Sequence, residues 1–544
     1  MNPKLPRLTA ADVRTMLLQR REVALLDVRE EDPFAQEHPL FAVQIARSRL
    51  ELDAPWRLPR RDVPVVVYDD GEGLAEPAAR WLAAAGWTAV SLLDGGLEGW
   101  RRSGGELFRD VNVPSKSFGE LVEHDAGTPS LPAEDVKALL DAGTDMVVLD
   151  VRRWDEYRTM SIPTGTSVPG AELVLRARDM APDPATRIIV NCAGRTRSLI
   201  GAQSLVNAGI PNPVAALRNG TIGWLLAGFE LDHGQQRRFG PVSAAHLASA
   251  RSVAQDLATR AGALRVDEAQ FARWAADPQR TLYRWDVRTP EEYEAGHLPG
   301  FGSAPGGQLV QETDVFAAVR GARIVLLDDD GVRAPMTAHW LAQMGWEVAW
   351  LDGVDPGRFS ETGPWRAPSL LAPAVDSLSP GELAVLLAEG RALAVDVGTS
   401  ANFVKGHVPG AWWLLRSEGA AALQRLPAAE RVVFTCADGA AARWMAAEWA
   451  GRLAAPVAVL AGGTAAWRAS GQPLESGEQR LLSPRIDRYR RPYEGTDAPR
   501  SAMQAYLDWE FGLVAQLGRD GAHGFRVLRP HDHAEPVQHR PAVL

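Results

Sequence analysis

The feature that most constrains the fold of this chain is a pattern that recurs four times along its 544 residues. Each copy opens with an apolar stretch that ends in Asp-Val, at Asp27, Asp150, Asp286 and Asp396. A second apolar stretch ends 42 residues later in the first three copies and 40 residues later in the fourth. An alanine-rich helical pattern closed by glycine and a third apolar stretch follow. Repetition on this scale predicts four similar domains rather than one large core.

The order of elements within each copy predicts the class of fold. Apolar stretches alternate with helical patterns of about 10–15 residues, as expected for parallel strands joined by crossover helices. We therefore predict an α/β fold with four tandem domains, each a parallel sheet flanked by helices, at residues 1–112, 125–235, 262–362 and 373–478. Linkers are expected near 110–130, 234–262 and 362–376. Residues 479–544 fit no copy, and their one helical pattern, at 501–517, predicts a short helical C-terminal extension.

Composition and net charge limit the cellular compartment and the binding partners that we expect for this chain. The formal net charge is −10 and the basic residues are dispersed, which argues against nucleic acid or an anionic membrane as partner. Two cysteines cannot form a disulfide framework, so a reducing compartment is favoured. The sequence contains no signal-peptide pattern and no apolar run of about 18 residues. We therefore predict a cytoplasmic protein with no nucleic-acid and no membrane partner.

One of the two cysteines, Cys192, ends the second apolar stretch of the second copy, in the sequence CAGRTRS. Ligands of parallel α/β sheets bind beyond the carboxyl ends of the strands, which is where this cysteine is expected. The start of a helix and two arginines should place positive potential there, lower the pKa of the thiol and attract an anion. We therefore predict Cys192 as the nucleophile and the rest of the loop as the substrate-binding residues: Gly194, Arg195, Thr196, Arg197 and Ser198.

These motifs resemble those of rhodanese domains. The third and fourth copies read DVRTPEEYEAGHLPG and DVGTSANFVKGHVPG, and three copies end in a glycine followed four residues later by Trp100, Trp224 or Trp467. The resemblance covers residues 1 to about 478, and it extends to a group of bacterial four-repeat rhodanese-related proteins whose second repeat carries the cysteine. We number the copies as repeats 1 to 4.

The resemblance implies a function for the second repeat. Rhodanese domains are five-stranded parallel α/β domains that transfer sulfane sulfur through a cysteine persulfide, here on Cys192. The expected partners are a small anionic donor such as thiosulfate and a thiol, protein or cyanide acceptor, with neither Zn²⁺ nor an organic cofactor called for. The loop from Cys192 to Arg197 has six residues, one fewer than in related phosphatase and arsenate-reductase loops, which favours sulfur over phosphoryl chemistry. Arg195 departs from the family pattern, which usually has glycine there.

The other repeats lack this combination of residues. Repeats 1 and 3 have Asp69 and Asp328 at the cysteine position, and a carboxylate cannot accept sulfane sulfur. Repeat 4 has Cys436, but Ala441 stands where the second copy has arginine, and Asp438 should raise the pKa of the thiol. We predict that repeats 1 and 3 are inactive and that repeat 4 is degenerate.

Two functions remain open at this point. The first is a sulfurtransferase acting at Cys192, and the second is a persulfide carrier or scaffold whose inactive repeats bind a partner. His38, His297 and His407 align in the repeats without the CAGRTRS loop, so we interpret them as structural. The polar stretch 530–539 contains three histidines, but its spacing favours a solvated tail over a metal site.

Overall fold

Each repeat forms one five-stranded sheet in the computed structural model, which describes residues 4–495 and 497–528. In every sheet the strands lie in the order first, fifth, fourth, second, third, and all pairings are parallel. The predicted fold class, four tandem parallel α/β domains followed by a short helical extension, is confirmed. The domain boundaries given above stay predictions.

Repeats 1 and 2 share the same succession of elements. The strands of repeat 1 are β1 (Arg7–Leu8), β2 (Ala24–Asp27), β3 (Ala42–Gln44), β4 (Val65–Tyr68) and β5 (Val90–Leu93). Its helices are α1 (Ala10–Leu18), α2 (Glu31–Gln36), α3 (Leu50–Arg57), α4 (Ala75–Ala84) and α5 (Gly96–Arg102). After helix α6 (Val113–Ala126), the strands of repeat 2 are β6 (Ser130–Leu131), β7 (Met146–Asp150), β8 (Thr166–Ser167), β9 (Arg187–Asn191) and β10 (Val214–Leu217). Its helices are α7 (Ala133–Asp141), α8 (Trp154–Thr159), α9 (Leu173–Met180), α10 (Thr196–Asn207) and α11 (Gly220–Leu226).

Repeats 3 and 4 follow helix α12 (Ala244–Ala261). Repeat 3 has strands β11 (Leu264–Val266), β12 (Leu282–Asp286), β13 (Gly302–Ser303), β14 (Arg323–Leu327) and β15 (Glu347–Leu351). Its helices are α13 (Glu268–Ala275), α14 (Pro290–Ala295), α15 (Gly306–Gln311), α16 (Thr313–Phe316) and α17 (Arg333–Gln343). Repeat 4 has strands β16 (Ser377–Leu378), β17 (Ala392–Asp396), β18 (Trp412–Trp413), β19 (Arg431–Thr435) and β20 (Val457–Leu460). Its helices are α18 (Pro380–Ala388), α19 (Ser400–Lys405), α20 (Gly419–Leu423), α21 (Ala440–Trp449) and α22 (Gly463–Ala469).

The central strands are apolar because both of their faces are covered. Strand β4 is buried at all four positions, and β9 is buried from its second residue onward. Parallel sheets with helices on both faces have such continuous apolar strands. Polar residues stand at the carboxyl ends of these central strands, such as Asp27 in β2 and Asn191 in β9, and the candidate site lies at these ends.

Two of the three expected linkers are helices that pack between domains. Helix α6 is buried along most of its length, from Val113 to Val122. Helix α12 places Ala250, Ala254 and Leu257 in one apolar cluster with residues of repeats 2 and 3. These two linkers therefore take part in the packing between domains, because their apolar residues belong to shared cores. The segment 365–376 has no regular structure.

The C-terminal extension folds back onto the other end of the chain. Its expected helix is split by Gly512 into α23 (Arg500–Phe511) and α24 (Leu513–Asp520). Leu513 and Leu517 of α24 are buried in the apolar cluster that repeats 1 and 3 share. Helix α23 instead reaches repeat 2, where it packs on the loop described below. Within residues 4–495 and 497–528, no helix is long and apolar enough to cross a membrane.

Candidate active site

The loop that starts at Cys192 joins strand β9 to helix α10 and is almost fully enclosed. Cys192 follows the last residue of β9 and is 1% exposed. Its thiol donates a hydrogen bond to Ser198 Oγ at 3.3 Å. The backbone N–H of Thr221 donates to the Cys192 carbonyl at 3.0 Å, which holds the start of the loop against helix α11. Gly220 is required for this approach, because a Cβ there would lie 2.3 Å from that carbonyl oxygen.

Arg197 is the arginine that acts on the thiol. Its two terminal nitrogens donate to the two carboxylate oxygens of Glu156, at 2.7 and 2.9 Å. Burial raises the pKa of Glu156, but the charge and hydrogen bonds of Arg197 outweigh it and lower that pKa to about 2. Glu156 therefore holds the guanidinium in a fixed orientation near Cys192. Its own charge also offsets part of the positive potential of Arg197.

Arg195 is turned away from the thiol. It is 3% exposed, and it donates to both oxygens of Glu120, at 2.8 and 2.9 Å, and to Glu123. It also donates to Asn219 Oδ1 at 3.1 Å, and its guanidinium lies over the ring of Phe511. The contact of Arg195 with the substrate stays a prediction, and the contacts that the structure gives this side chain are with Glu120, Glu123, Asn219 and Phe511. Its charge is used to fasten the loop to helix α6, so we treat it as a positioning residue.

The thiol is less acidic than its sequence context suggested. Burial raises the pKa of Cys192, whereas Arg197 and the hydrogen bonds of Ser198 act to lower it. The carboxyl of Glu510, in the C-terminal extension, adds to the increase. The expectation of a lowered pKa is wrong, because the loop is covered by other segments and Arg195 is paired elsewhere. Arg197 and Ser198 remain the groups that favour the thiolate.

Helix α23 covers the middle of the loop. A Cβ at Gly194 would lie 3.3 Å from Tyr506 Cε1 and 3.4 Å from Glu510 Oε2, so glycine permits this close contact. Tyr506 donates to Glu510 Oε1 at 2.8 Å, while Glu510 Oε2 is buried without a hydrogen-bond partner. Burial and the nearby charge of Glu120 raise the pKa of Glu510 to about 8. The extension is therefore part of the wall of the site.

A buried lysine connects helix α6 to the same extension. Lys116 is 1% exposed and donates to Asp110 Oδ1 at 2.7 Å. Its ammonium group lies 5.1–5.6 Å from the ring centres of Tyr493, Tyr506 and Trp509. A cation surrounded by aromatic faces is held by their quadrupoles as well as by its counter-ion. About one turn further along α6, Gly119 leaves room for Thr196, whose Cγ2 would lie 2.8 Å from a Cβ at that position.

The loops of repeats 1 and 3 are filled by their own carboxylates. Asp69 accepts hydrogen bonds from the backbone N–H groups of Leu74 and Ala75, at 2.6 and 2.9 Å. Asp328 accepts from Gly331 and Ala334, at 3.0 and 2.8 Å. Ala75 and Ala334 align with Ser198, so these carboxylates occupy the N–H groups that face the sulfur in repeat 2. The loop is thus a cradle of N–H donors, and in two repeats an aspartate carboxyl of the chain itself occupies it.

Repeat 3 retains the arginine but not its environment. Arg333 aligns with Arg197, and it bonds Glu292 as Arg197 bonds Glu156. It also contacts Glu172 of repeat 2 at 2.9 Å, Asp329 at 2.8 Å, and Asp330. Burial and the neighbouring Asp330 raise the pKa of Asp328 well above its usual range.

Repeat 4 keeps the thiol without the arginine. Cys436 is 3% exposed, and its sulfur lies 3.6 Å from Asp438 Oδ1. Burial, with the charges of Asp438 and Asp396, raises the pKa of Cys436 to about 11, although the backbone of Ala442 acts against this. The predicted effect of Asp438 is confirmed.

The aligned histidines and aspartates lie in structural positions. The rings of His38, His297 and His407 stack on Phe34, Tyr293 and Phe403, with centroids 3.7–4.0 Å apart. Asp27, Asp150 and Asp286 form buried ion pairs with the arginine two residues later, at 2.6–2.7 Å. These contacts recur in repeats with and without a cysteine, which is the pattern expected of fold-forming residues.

Comparison with known proteins identifies the family. The sequence model of the family described as Rhodanese-like domain matches residues 9–103, 132–227, 268–353 and 379–470. These four segments account for more than half of the chain. The chain belongs to the rhodanese-like domain family.

Two relatives of this rhodanese-like chain illustrate the range of similarity. A crystal structure of thiosulfate sulfurtransferase from Pseudomonas aeruginosa is 63% identical, covers 96% of this chain and 100% of its own, and superposes with a TM-score of 0.96. The "Putative thiosulfate sulfurtransferase SseB" of two Mycobacterium tuberculosis strains is 46% identical over 68 residues. That match spans 12% of this chain and 23% of the length of the curated relatives.

Sequence reasoning missed three carboxylates of this rhodanese-like site: Glu120, Glu156 and Glu510. Glu156 could have been found from the sequence, because it stands six residues after Asp150 as Glu292 stands six residues after Asp286. In both repeats the later loop contains an arginine at the matching position. Nothing in the sequence indicated Glu120 or Glu510, because Glu120 lies in a linker and Glu510 in the extension, both outside the repeated pattern. The candidate metal stretch 530–539 lies outside the described residues.

Proposed function

We propose that this chain is a sulfurtransferase that moves sulfane sulfur from a thiosulfate-like anion to a nucleophilic acceptor through a persulfide on Cys192. The observation that supports this most is the placement of the Cys192 thiol in a backbone N–H cradle, with Arg197 beside it. In repeats 1 and 3 an aspartate carboxyl accepts hydrogen bonds from the equivalent backbone N–H groups, which supports the interpretation that this cradle binds an electron-rich group. The high identity to a thiosulfate sulfurtransferase across 96% of the chain supports the same activity.

The reaction balances without an added oxidant or cofactor. The Cys192 thiolate attacks the outer sulfur of the donor, a new S–S bond forms, and the S–S bond of thiosulfate breaks with its electron pair leaving on sulfite. A nucleophile such as cyanide or a thiolate then attacks the outer sulfur of the persulfide. Cys192 leaves as thiolate, and the site returns to its starting state.

Each residue of the loop has a distinct role in this proposal. Arg197 binds the donor oxyanion and stabilises the thiolate, and the side-chain and backbone hydrogen bonds of Ser198 also favour the thiolate. The backbone from Gly194 to Thr196 completes the cradle that receives the outer sulfur of the persulfide. Arg195 keeps this backbone in place through helix α6.

Mass spectrometry tests the assignment directly. After thiosulfate treatment, the intact chain should gain the mass of one sulfur atom, and peptide mapping should place it on Cys192. Cys192→Ser should abolish transfer from thiosulfate to cyanide, whereas Cys436→Ser, its matched control, should leave it nearly intact. Equal losses in the two variants would contradict the proposal.

A persulfide carrier is the second candidate, and the three degenerate loops favour it. Their carboxylates and the Cys436 environment leave one competent loop in four domains. A carrier would be labelled stoichiometrically by thiosulfate but would turn over slowly with cyanide, so the ratio of turnover to labelling separates the two. The thiol or protein acceptor and the cytoplasmic location stay predictions.

A further inference from the structure

Repeat 3, which the structure describes in full, lacks the helix that closes one face of the sheet in the other repeats. In repeats 1, 2 and 4, helix α5, α11 or α22 follows the last strand of the sheet, whereas the matching segment of repeat 3 forms a 3₁₀ turn, Pro356–Arg358. In repeat 2, Trp224 of this helix packs in one cluster with Val148 of the second strand. Repeat 4 combines Trp467 and Ala394 in the same way. This part of the sheet is therefore left without its usual cover in repeat 3.

The strand position that the helix covers elsewhere carries a cation in repeat 3. Arg284 stands two residues before Asp286, and the matching residues of the other repeats are apolar and buried: Leu25, Val148 and Ala394. Arg284 is exposed, and within residues 4–495 and 497–528 it makes neither an ion pair nor a side-chain hydrogen bond. Neighbouring protein atoms lower the pKa of Arg284 by removing part of its hydration, and no described carboxylate acts against this. Its charge is therefore available to an outside partner.

Arg284 lines a cleft of about 600 Å³ between repeats 1 and 3. Repeat 1 contributes the end of helix α3, and repeat 3 contributes the start of β12 and residues 300–302. The segment 361–368 forms the third side. The Tyr283 hydroxyl donates to the Arg57 carbonyl at 2.6 Å, which fixes the two repeats to each other beside the cleft. The cleft is thus held open by contacts of the chain itself.

Three indole rings form the apolar wall of the cleft. The rings of Trp56, Trp285 and Trp365 lie with their centres 5.4–6.4 Å apart and their planes nearly perpendicular, at 82–88°. Gly302 makes room for two of them, because a Cβ there would lie 2.4 Å from Trp285 Cζ3 and 3.0 Å from Trp365 Cε2. Trp56 and Trp365 are partly exposed, so a ligand can reach their rings. Aromatic walls of this kind favour a planar apolar ligand.

The unpaired polar groups of the cleft favour a negative charge on that ligand. Among the described residues, Arg284 and Arg366 line the cleft without an ion-pair partner, and Glu361 is the one carboxylate that lines it. Glu361 is exposed, and its Oε2 lies 3.6 Å from His297 Nε2. The indole N–H of Trp285 is buried without a hydrogen-bond partner, and it is also a donor. An excess of donors and of positive charge favours a ligand that supplies acceptor oxygens.

We infer that this cleft binds a small planar aromatic anion, with its ring against Trp56 and Trp365 and its carboxylate or sulfonate group on Arg284. A guanidinium can donate to two oxygens of such a group at once. The inference does not depend on the proposed function, because loop residues 192–198 do not line the cleft. It gives repeat 3, which carries no reactive cysteine, a binding role of its own.

Two fluorescent probes of similar shape and different charge test the site in the full-length chain. Anilinonaphthalene sulfonate is an aromatic anion, and phenylnaphthylamine is its neutral counterpart. Arg284→Leu installs the residue type that repeat 1 has at this position. This change should weaken binding of the sulfonate about tenfold, because it removes a charge-assisted hydrogen bond, and should leave the affinity for the neutral probe unchanged. Arg284→Lys should retain part of the sulfonate affinity, because it keeps the charge.

Two further variants separate the cleft from other surfaces. Trp365→Ala removes part of the aromatic wall and should weaken binding of both probes several-fold. Arg273→Gln removes an exposed arginine of helix α13 that does not line the cleft, so it should change neither affinity. All titrations are made well below the melting temperature of each variant, so that every chain is folded. Unchanged sulfonate affinity in Arg284→Leu, an equal loss of both probes in that variant, or unchanged binding in Trp365→Ala would overturn the inference.

Discussion

The guanidinium of Arg195 donates to both carboxylate oxygens of Glu120, at 2.8 and 2.9 Å, and so joins the reactive loop to helix α6. Both side chains are buried, at 2% and 4% exposure. An interaction at this depth controls where the loop backbone lies, and with it the geometry around Cys192. The segment that joins repeats 1 and 2 is therefore a component of the site.

Breaking this pair should destabilise the chain. Removal of one member of a buried ion pair leaves the other charge without compensation, which costs about 3–5 kcal/mol. Glu120→Gln should reach the lower part of that range, because Glu123 and Asn219 still contact Arg195. Denaturant unfolding measures the loss, and Glu134→Gln, an exposed change on helix α7, is the control. An effect on stability no larger than that of the control would contradict the positioning role.

Arg197 should govern the use of the donor. A charge-assisted hydrogen bond to an anion contributes about 1.5–3 kcal/mol, so Arg197→Ala should lower kcat/KM for thiosulfate about tenfold or more. Arg197→Lys should recover part of the loss, because lysine keeps the charge but cannot bond Glu156 with two nitrogens. Steady-state kinetics with thiosulfate and cyanide test this prediction. Equal kcat/KM values for the wild type and Arg197→Ala would contradict a role for Arg197 in binding the donor.

The reactivity of Cys192 should increase with pH beyond neutrality. Burial raises the pKa of the thiol, so the thiolate fraction at Cys192 grows in the alkaline range. Arg197 acts to lower that pKa, so Arg197→Gln should shift the alkylation profile to higher pH. Glu510 acts to raise it, so Glu510→Gln should shift the profile to lower pH. Iodoacetamide rates at Cys192 across pH give both shifts, and shifts of the same sign would contradict this electrostatic account.

Restoring a cysteine in repeat 3 should not restore activity. Although Arg333 aligns with Arg197, four carboxylates contact it: Glu172, Glu292, Asp329 and Asp330. A thiolate at position 328 would meet a net negative environment, which opposes its formation and repels the donor. Asp328→Cys in a Cys192→Ser background should therefore show no transfer from thiosulfate to cyanide. Measurable turnover there would show that the loop backbone suffices without a free arginine.

Glu510 should make the folded state less stable as pH rises. Its pKa is raised to about 8 in the folded chain, so between its usual value of 4.5 and about 8 the folded state holds a proton that the unfolded state has released. Stability contributed by this group is therefore present at low pH and is lost as pH rises, by at most about 1.4 kcal/mol per pH unit. Glu510→Gln should make the loss of unfolding free energy with rising pH smaller. Unfolding curves at several pH values test this against Glu478→Gln, which changes an exposed carboxyl at the end of repeat 4.

Local patterns determined much of this protein in advance. Four parallel sheets, a cysteine at the carboxyl end of β9 and aspartates at the equivalent positions of repeats 1 and 3 all follow from strand periodicity and fixed spacing. Strand ends and loop lengths are set by residues that are near neighbours in the chain. The contribution of Asp438 to the raised pKa of Cys436 was predictable in the same way, since Asp438 is two residues away, although burial is the larger cause.

Only the tertiary structure decided the electrostatics of the reactive loop. The arginines around Cys192 were visible in the sequence, but their charges act according to their partners. Arg195 is paired with Glu120, 75 residues away, and the carboxyl of Glu510 reaches the loop from the C-terminal extension. Burial of the thiol, with a smaller contribution from the charge of Glu510, reversed the expected direction of the Cys192 pKa shift. The desolvation of a group depends on everything packed around it, and no repeated pattern along the chain records which distant segments those are.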